Sequence, residues 1–336
     1  MEMEQKSPLR KLPGTELVKI AFVTLTVFFH GSHFTVGSGS IVAAMVYLFM
    51  FSGFFMEYSY SVRPVLSNKA ALKAFYLKHF AEIFPLYFLA EAVRAAVSWK
   101  DFRFMLLPLR IIGLQTAFPD VRFYVGITWS LSCLIFAWSL FPLLNYLIAV
   151  SSCKTRKWTF AGLLILYVYI NLICIDLNVS IFYNIVVRAL EFTIGALYAS
   201  VLKKRIRNSE VSDLWSLLLS ILYFVLLTIS YGSEYNNLIK ILFILLLLDS
   251  ASQIRMDRLP ETGWIMRGIA GAGALCADVY ILQDLLLSSP LKLDWKILDR
   301  MPVRLTLFFL ALLTISIPIH YFYTVKLKRW ILHKVP

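Results

Sequence analysis

The stretch Glu16–Phe34, ELVKIAFVTLTVFFHGSHF, decides how this sequence is interpreted. It is long and apolar enough to cross a bilayer as a helix, yet it carries Lys19, His30 and His33. Ionisable groups inside a membrane span are costly, so they indicate function. The path from Lys19 to His30 turns a helix through about 1,100°, close to three full turns, and covers about 16 Å. The lysine and the first histidine therefore share one helix face, where they can serve one polar cavity.

The composition places the whole chain in a membrane. Of its 336 residues, 59% are hydrophobic and only 16% are charged, which no water-soluble domain of this size would carry. The net charge of +13 does not indicate nucleic acid, because the lysines and arginines cluster in short gaps between apolar segments. The four cysteines are far apart and form no CxxC pair, so neither a disulfide framework nor a metal site is expected.

The hydropathy pattern predicts an all-α bundle of about ten transmembrane helices. No soluble domain fits between the spans, so residues 1–336 are expected to form a single integral membrane domain. The predicted spans lie near residues 16–34, 41–61, 80–99, 124–150, 158–176, 181–202, 214–232, 236–252, 264–288 and 303–325.

The loop charges predict the orientation of these spans. Most of the 33 Lys and Arg residues fall in alternate gaps, and positive loops stay on the cytoplasmic side. The bias predicts that both termini are cytoplasmic. It requires that the apolar stretch Phe104–Phe118 does not cross the membrane, and Pro108, Arg110 and Gly113 favour an interfacial or re-entrant piece there.

The ionisable side chains of the first span have alternative interpretations. His30 either hydrogen-bonds a neighbouring helix or acts as a general base, because imidazole titrates near neutral pH. Lys19 either extends to lipid headgroups or serves the polar cavity. His33 neighbours the face of His30 and is either an auxiliary proton acceptor or an interfacial side chain.

Further candidates lie on later spans. Arg188 and Glu191 are three residues apart and either pair inside the membrane or line the acceptor side of a cavity. Ser52, with the glycine that follows it, is typical of close packing between helices. Trp129 and Tyr280 are typical of packing or interfacial aromatic residues.

Six motifs in chain order resemble one known family. The first is a basic residue followed, after ten residues, by a histidine on the first span. The others are YLFMFSGFFM (Tyr47–Met56), FYLKHFAEIFPLYFL (Phe75–Leu89), WSLSCLIFAWSLFPLL (Trp129–Leu144), RALEFTIGALYA (Arg188–Ala199) and ADVYILQDLL (Ala277–Leu286). Together they resemble the membrane-bound acyltransferase 3 family, whose members O-acetylate glycans and other acceptors.

The resemblance implies transfer of an acetyl group from cytoplasmic acetyl-CoA to a hydroxyl of a glycan or lipid-linked saccharide, in a bacterial inner membrane and without a metal. His30 would be the base and Lys19 would hold donor phosphates, helped by Lys78 and Lys73. The remaining candidates, which would line or support the substrate site, are His33, Ser52, Arg188, Glu191, Trp129 and Tyr280.

The chain departs from the family pattern at several positions. Two arginines of the third-span motif fall on His79 and Glu82, a glutamate falls on Leu134, and a late histidine falls on Gln283. These replacements keep two other functions open. One is a transporter or flippase of a lipid-linked glycan, and the other is a catalytically inactive scaffold of the same fold.

Overall fold

The computed structural model describes residues 12–31, 38–61, 64–97, 107–114, 116, 128–177, 183–207, 211–229, 236–256, 263–288 and 301–333. All regular elements in these ranges are helical, which confirms the all-α prediction. The helices are α1 (Pro13–Gly31), α2 (Ser38–Tyr60), α3 (Lys69–Val97), α4 (Leu107–Ile111), α5 (Thr128–Val150), α6 (Cys153–Asp176), α7 (Ile185–Arg207), α8 (Asp213–Ile229), α9 (Asn236–Gln253), α10 (Trp264–Ser288), α11 (Met301–Ile319) and α12 (Val325–His333), with a short 3-10 helix at Val65–Ser67 and a π-helical turn at His320–Thr324.

Short polar side chains begin several of these helices. Asn68 Oδ1 accepts from the Ala71 N–H at 2.7 Å, and Ser152 Oγ accepts from the Thr155 N–H at 3.1 Å. Asn184 Oδ1 accepts from the second N–H of α7 at 3.0 Å. Each contact satisfies a backbone donor that has no partner within the helix, so the sequence fixes where α3, α6 and α7 start.

Each of the ten predicted spans overlaps a helix of the described residues. Five described helical segments are long and apolar enough to cross a membrane, which indicates a membrane protein. They are Thr128–Val150, Cys153–Cys174, Ile185–Lys203, Trp264–Gln283 and Leu305–His333.

Two elements differ from, or sharpen, the sequence expectation. The helix α3 begins at Lys69, where Asn68 caps it. This is well before the predicted start near residue 80, because Lys69, Lys73 and Lys78 make its first turns too polar for a hydropathy pattern to include. The described part of Phe104–Phe118 forms only the five-residue helix α4, which is too short to cross a bilayer. Arg110 Nη1 pairs with Glu91 Oε2 on α3 at 2.6 Å and holds α4 against the bundle.

The helix α2 occupies the centre of the bundle. It packs along α7 and also contacts α1, α5, α8 and α9. Its Tyr47 and Met50 are fully buried in a core with Phe22 and Ile194. The outer faces of α6 and α8 expose large apolar residues such as Trp158 and Trp215, as expected for surfaces that contact lipid.

Charged and polar residues from several helices lie together at one end of the bundle. The first turns of α1 lie against α10, since a Cβ added at Gly273 would collide with the Glu16 carboxylate. At the same end, Tyr60 approaches His79 and Lys328 approaches Glu82. This end of the bundle therefore collects charged residues from α1, α3 and α12.

Candidate functional site

A cavity of about 800 Å³ opens at this charged end of the bundle. Its mouth is the part lined by the exposed residues Ser59, Lys78, Arg329 and Leu332. Its inner end is the part lined by Val23, Met45, Ser130 and Tyr280, of which the first three are buried. Cavities of this size commonly hold small-molecule ligands.

The cavity brings together four of the sequence-predicted site residues, Lys19, Ser52, Lys78 and Tyr280. Lys19 Nζ lies 2.6 Å from Glu16 Oε2 and 5.6 Å from the ring centre of Phe51. Ser52 accepts a hydrogen bond from Trp138 Nε1 at 3.1 Å. The serine therefore faces the cavity, whereas Gly53 beside it packs against α7.

The hydroxyls at the inner end form a small donor pair. Ser130 Oγ and Tyr280 Oη lie 2.8 Å apart, and either can donate. The Tyr280 hydroxyl also lies 3.6 Å from the sulfur of Met45. This pair is the polar feature at the inner end of an otherwise apolar region lined by Val23, Met45 and Leu131.

His30 lies on α1 and does not line the cavity. It faces Gln283, which follows Tyr280 by one turn on α10. Its Nδ1 lies 3.1 Å from Gln283 Oε1, and Gln283 Nε2 donates to the Tyr280 carbonyl at 3.0 Å. Because the amide oxygen can only accept, Nδ1 carries the proton and the basic nitrogen of a neutral His30 is Nε2. Gln283, which stands where the family pattern has its late histidine, therefore contacts His30 on the first span.

The other predicted residues that the structure describes do not line the cavity. Arg188 Nη1 pairs with Glu191 Oε2 at 2.6 Å, with side chains 2% and 0% exposed, so the expected intramembrane pairing is present. Trp129 is buried and meets the Tyr183 ring edge-on at 5.1 Å. Lys73 is exposed on α3 outside the cavity lining, and His33 lies outside the described residues.

The mouth contains a charged cluster that the sequence motifs did not reveal. Glu82 accepts from Lys328 Nζ at 2.7 Å, and its other oxygen lies 3.2 Å from His79 Nδ1. The Tyr60 hydroxyl lies 3.4 Å from His79 Nε2. A carboxylate in an apolar span signals that a cation must be near, but no sequence pattern identifies a lysine 246 residues away.

Lys78 and Arg329 are the cations at the mouth. Neither makes an ion pair with a described carboxylate, although the Lys78 ammonium lies 5.7 Å from the Tyr60 ring centre. The other two lysines of the lining are neutralised by ion pairs, Lys19 with Glu16 and Lys328 with Glu82. The mouth is therefore net positive and suits an anionic ligand.

A second histidine cluster lies in the cavity wall. His320 Nδ1 lies 2.7 Å from Asp278 Oδ2, and Thr324 Oγ1 donates to Asp278 Oδ1 at 2.6 Å. All three residues line the cavity. This cluster was missed in the sequence analysis. Asp278 within an apolar span is the signal that could have found it, because a buried carboxylate requires partners.

The arrangement offers no multi-residue metal site in the part of the chain that the structure describes, where no three His, Cys, Asp or Glu side chains converge. It offers a positive mouth, an apolar interior, hydroxyl donors at the inner end and histidine bases. No family model, curated protein or solved structure matches this chain.

Proposed function

We propose that the chain is a membrane O-acyltransferase that moves an acetyl group from acetyl-CoA to a hydroxyl of an envelope or exported glycan. It would do so as a bundle of ten spans with both termini in the cytoplasm of a bacterial cell. The motif resemblance supports this assignment, and the main structural support is the cavity. A single cavity combines an anion-binding mouth with a long apolar interior, which matches a donor with phosphates at one end and a thioester at the other.

The donor fits the cavity in one direction. Lys78 and Arg329, with Lys19 deeper in the wall, would hold the phosphates by charge, as ammonium and guanidinium groups do. The uncharged arm and its thioester would extend past Phe51 and Leu48 towards the inner end. Excluding water there protects the thioester from hydrolysis.

The reacting groups would meet near the inner end. Acyl transfer requires a donor for the oxygen that becomes negatively charged. The hydroxyls of Ser130 and Tyr280 hydrogen-bond each other, which uses one of their two protons and leaves the other to donate. Acyl transfer also requires a group that accepts the proton of the acceptor hydroxyl. The sequence proposes His30 for this role, on the outer side of Tyr280.

The activity can be tested by mass spectrometry of surface glycans from cells with and without the gene. We expect an acetyl group on the glycan only when the gene is present, and acetyl transfer from labelled acetyl-CoA by the purified protein in lipid nanodiscs. Identical glycans together with no transfer by the purified protein would contradict the proposal and favour the inactive scaffold.

The donor site can be tested by removing one charge at the mouth. Lys78→Ala is expected to raise the KM for acetyl-CoA about tenfold, since one lost charge-assisted contact is worth about 1.5 kcal/mol. The matched control is Lys69→Ala, which removes an exposed lysine from the same helix α3 outside the cavity lining. Equal KM values for the two variants would contradict the assigned position of the phosphates.

A further inference from the structure

The chain has five histidines, and of the four that the structure describes, His79 and His320 line the cavity. They differ in how their ring nitrogens are engaged. In His79, the Tyr60 hydroxyl lies 3.4 Å from Nε2, whereas Nδ1 lies 3.2 Å from Glu82 without a hydrogen bond to it. For His320, the described residues provide a partner for Nδ1 alone.

Asp278 fixes the protonation pattern of His320. Its Oδ2 accepts from His320 Nδ1, while its Oδ1 accepts from Thr324. The Asp278 side chain is only 2% exposed, so both oxygens are held by protein donors in a dry environment. A carboxylate on Nδ1 orients the imidazole, makes Nε2 the basic nitrogen and stabilises the imidazolium that forms when Nε2 takes a proton.

The backbone around His320 also departs from a regular helix. Residues His320–Thr324 form a π-helical turn, in which the Val325 N–H reaches the His320 carbonyl. The Tyr323 hydroxyl donates to the Pro85 carbonyl on α3 at 3.0 Å, which anchors the turn to a neighbouring helix. Single π turns are frequent at functional sites, and this one places His320 and Thr324 on the same carboxylate.

His30 is less well placed for chemistry in this cavity. It does not line the cavity, and its Nδ1 faces the neutral amide of Gln283. Of the two histidines, His320 is the one that lines the cavity, and Asp278 is placed to stabilise its protonated form.

We propose that His320, held by Asp278 and Thr324, is the proton acceptor for acyl transfer in this cavity; the inference rests on the proposed function. The acceptor oxygen attacks the thioester carbonyl carbon as its proton passes to His320 Nε2. The C–O bond forms, the C–S bond breaks, and the proton then passes from Nε2 to the departing thiolate. One ester and one thiol result, and His320 returns to its neutral form.

The decisive variant is His320→Asn, because an asparagine amide can still donate to Asp278 while it cannot accept a proton at neutral pH. We expect kcat for acetyl transfer to fall at least about 100-fold, with the Kd for CoA unchanged. The matched control is His333→Asn, an exposed histidine at the end of α12, which should retain full activity. In His320→Ala, added imidazole should restore part of the lost kcat.

Asp278 is a positioning residue and has its own readout. Asp278→Asn is expected to lower kcat while leaving the KM for acetyl-CoA unchanged, because the mouth that holds the phosphates is not altered. A change in KM alone would assign Asp278 to donor binding and contradict the inference.

Three results would overturn the inference. The first is full kcat in His320→Asn, and the second is a greater loss in His30→Asn than in His320→Asn. The third is loss of CoA binding in both His320 variants, which would make His320 a structural residue. Absence of transfer by the wild-type protein, in contrast, would contradict the proposed function itself.

Discussion

Glu191 is a carboxylate with no exposed surface, and two partners hold it. Arg188 Nη1 donates to one oxygen at 2.6 Å, and the Tyr167 hydroxyl donates to the other at 3.0 Å. Glu191→Ala is expected to lower the free energy of unfolding by about 3 to 5 kcal/mol, because it leaves the Arg188 charge in a dry environment without its carboxylate. Reversible unfolding in mixed detergent micelles measures the loss.

The control for this prediction removes both charges. Arg188→Met combined with Glu191→Leu is expected to recover most of the stability, since replacing a buried pair by apolar side chains is often neutral. A double variant as unstable as Glu191→Ala would contradict a structural role for the ion pair.

At the scale of single residues, the sequence was a better guide to which ionisable groups are buried than to which residues they pair with. Lys19 lies in the cavity as expected, but the helix-face argument does not identify its carboxylate partner Glu16, one turn earlier on α1. The shared face of Lys19 and His30 did not make them neighbours of one cavity. At the level of His30 the side chain of Gln283 faces α1, and helical periodicity contains no information about which helix stands opposite.

Among the helices, α2 and α7 approach most closely at two glycines. A Cβ at Gly53 would collide with the Phe192 carbonyl, and one at Gly195 would collide with the Met50 carbonyl. Gly53→Ala is therefore expected to destabilise the protein by about 1 to 3 kcal/mol, because backbone atoms cannot move aside as a flexible side chain can. Thermal unfolding monitored by fluorescence would detect it.

Gly162→Ala on α6 is the matched control, since a Cβ there meets nothing within 4 Å. It should be neutral or slightly stabilising, because alanine is the better helix former. If both variants unfold at the same temperature, close approach of α2 and α7 at Gly53 is not a source of stability.

At the scale of elements, the sequence predicted the helices better than their ends. Ten apolar stretches each contain a helix, because a stretch of suitable length must form its backbone hydrogen bonds internally. The start of α3 was missed, since the turns after Lys69 are amphipathic and not uniformly apolar. The π turn before α12 was missed as well, because such a turn has no hydropathy signature.

For the whole molecule, orientation in the membrane is the central prediction, and Cys153 can test it. This cysteine is exposed, whereas Cys133, Cys174 and Cys276 are buried. A membrane-impermeant maleimide is expected to label Cys153 in inside-out vesicles and not in intact spheroplasts, because the positive loop that contains it is predicted to be cytoplasmic. Mass spectrometry of the protein locates the label.

Cys153→Ser is the control and should abolish labelling from either side. Labelling from the outside would mean that Phe104–Phe118 crosses the membrane after all, which would invert every later loop. The sequence alone could not decide this point, because the segment is apolar and of marginal length. The ion pair between Arg110 and Glu91 favours a segment folded back against α3.

The π turn at His320–Thr324 limits the insertions and deletions that this segment can accept. A π turn holds one residue more than an α-helical turn, so deleting one residue inside it would give regular helix and leave α12 close to its present orientation. Lys328 would keep its contact with Glu82, but the spacing that lets Asp278 serve both His320 and Thr324 would be lost. An insertion would instead rotate α12 by about 100° relative to α11 and separate Lys328 from Glu82. Natural variants that retain Asp278 and Glu82 are therefore expected to tolerate substitutions in this segment but neither insertions nor deletions.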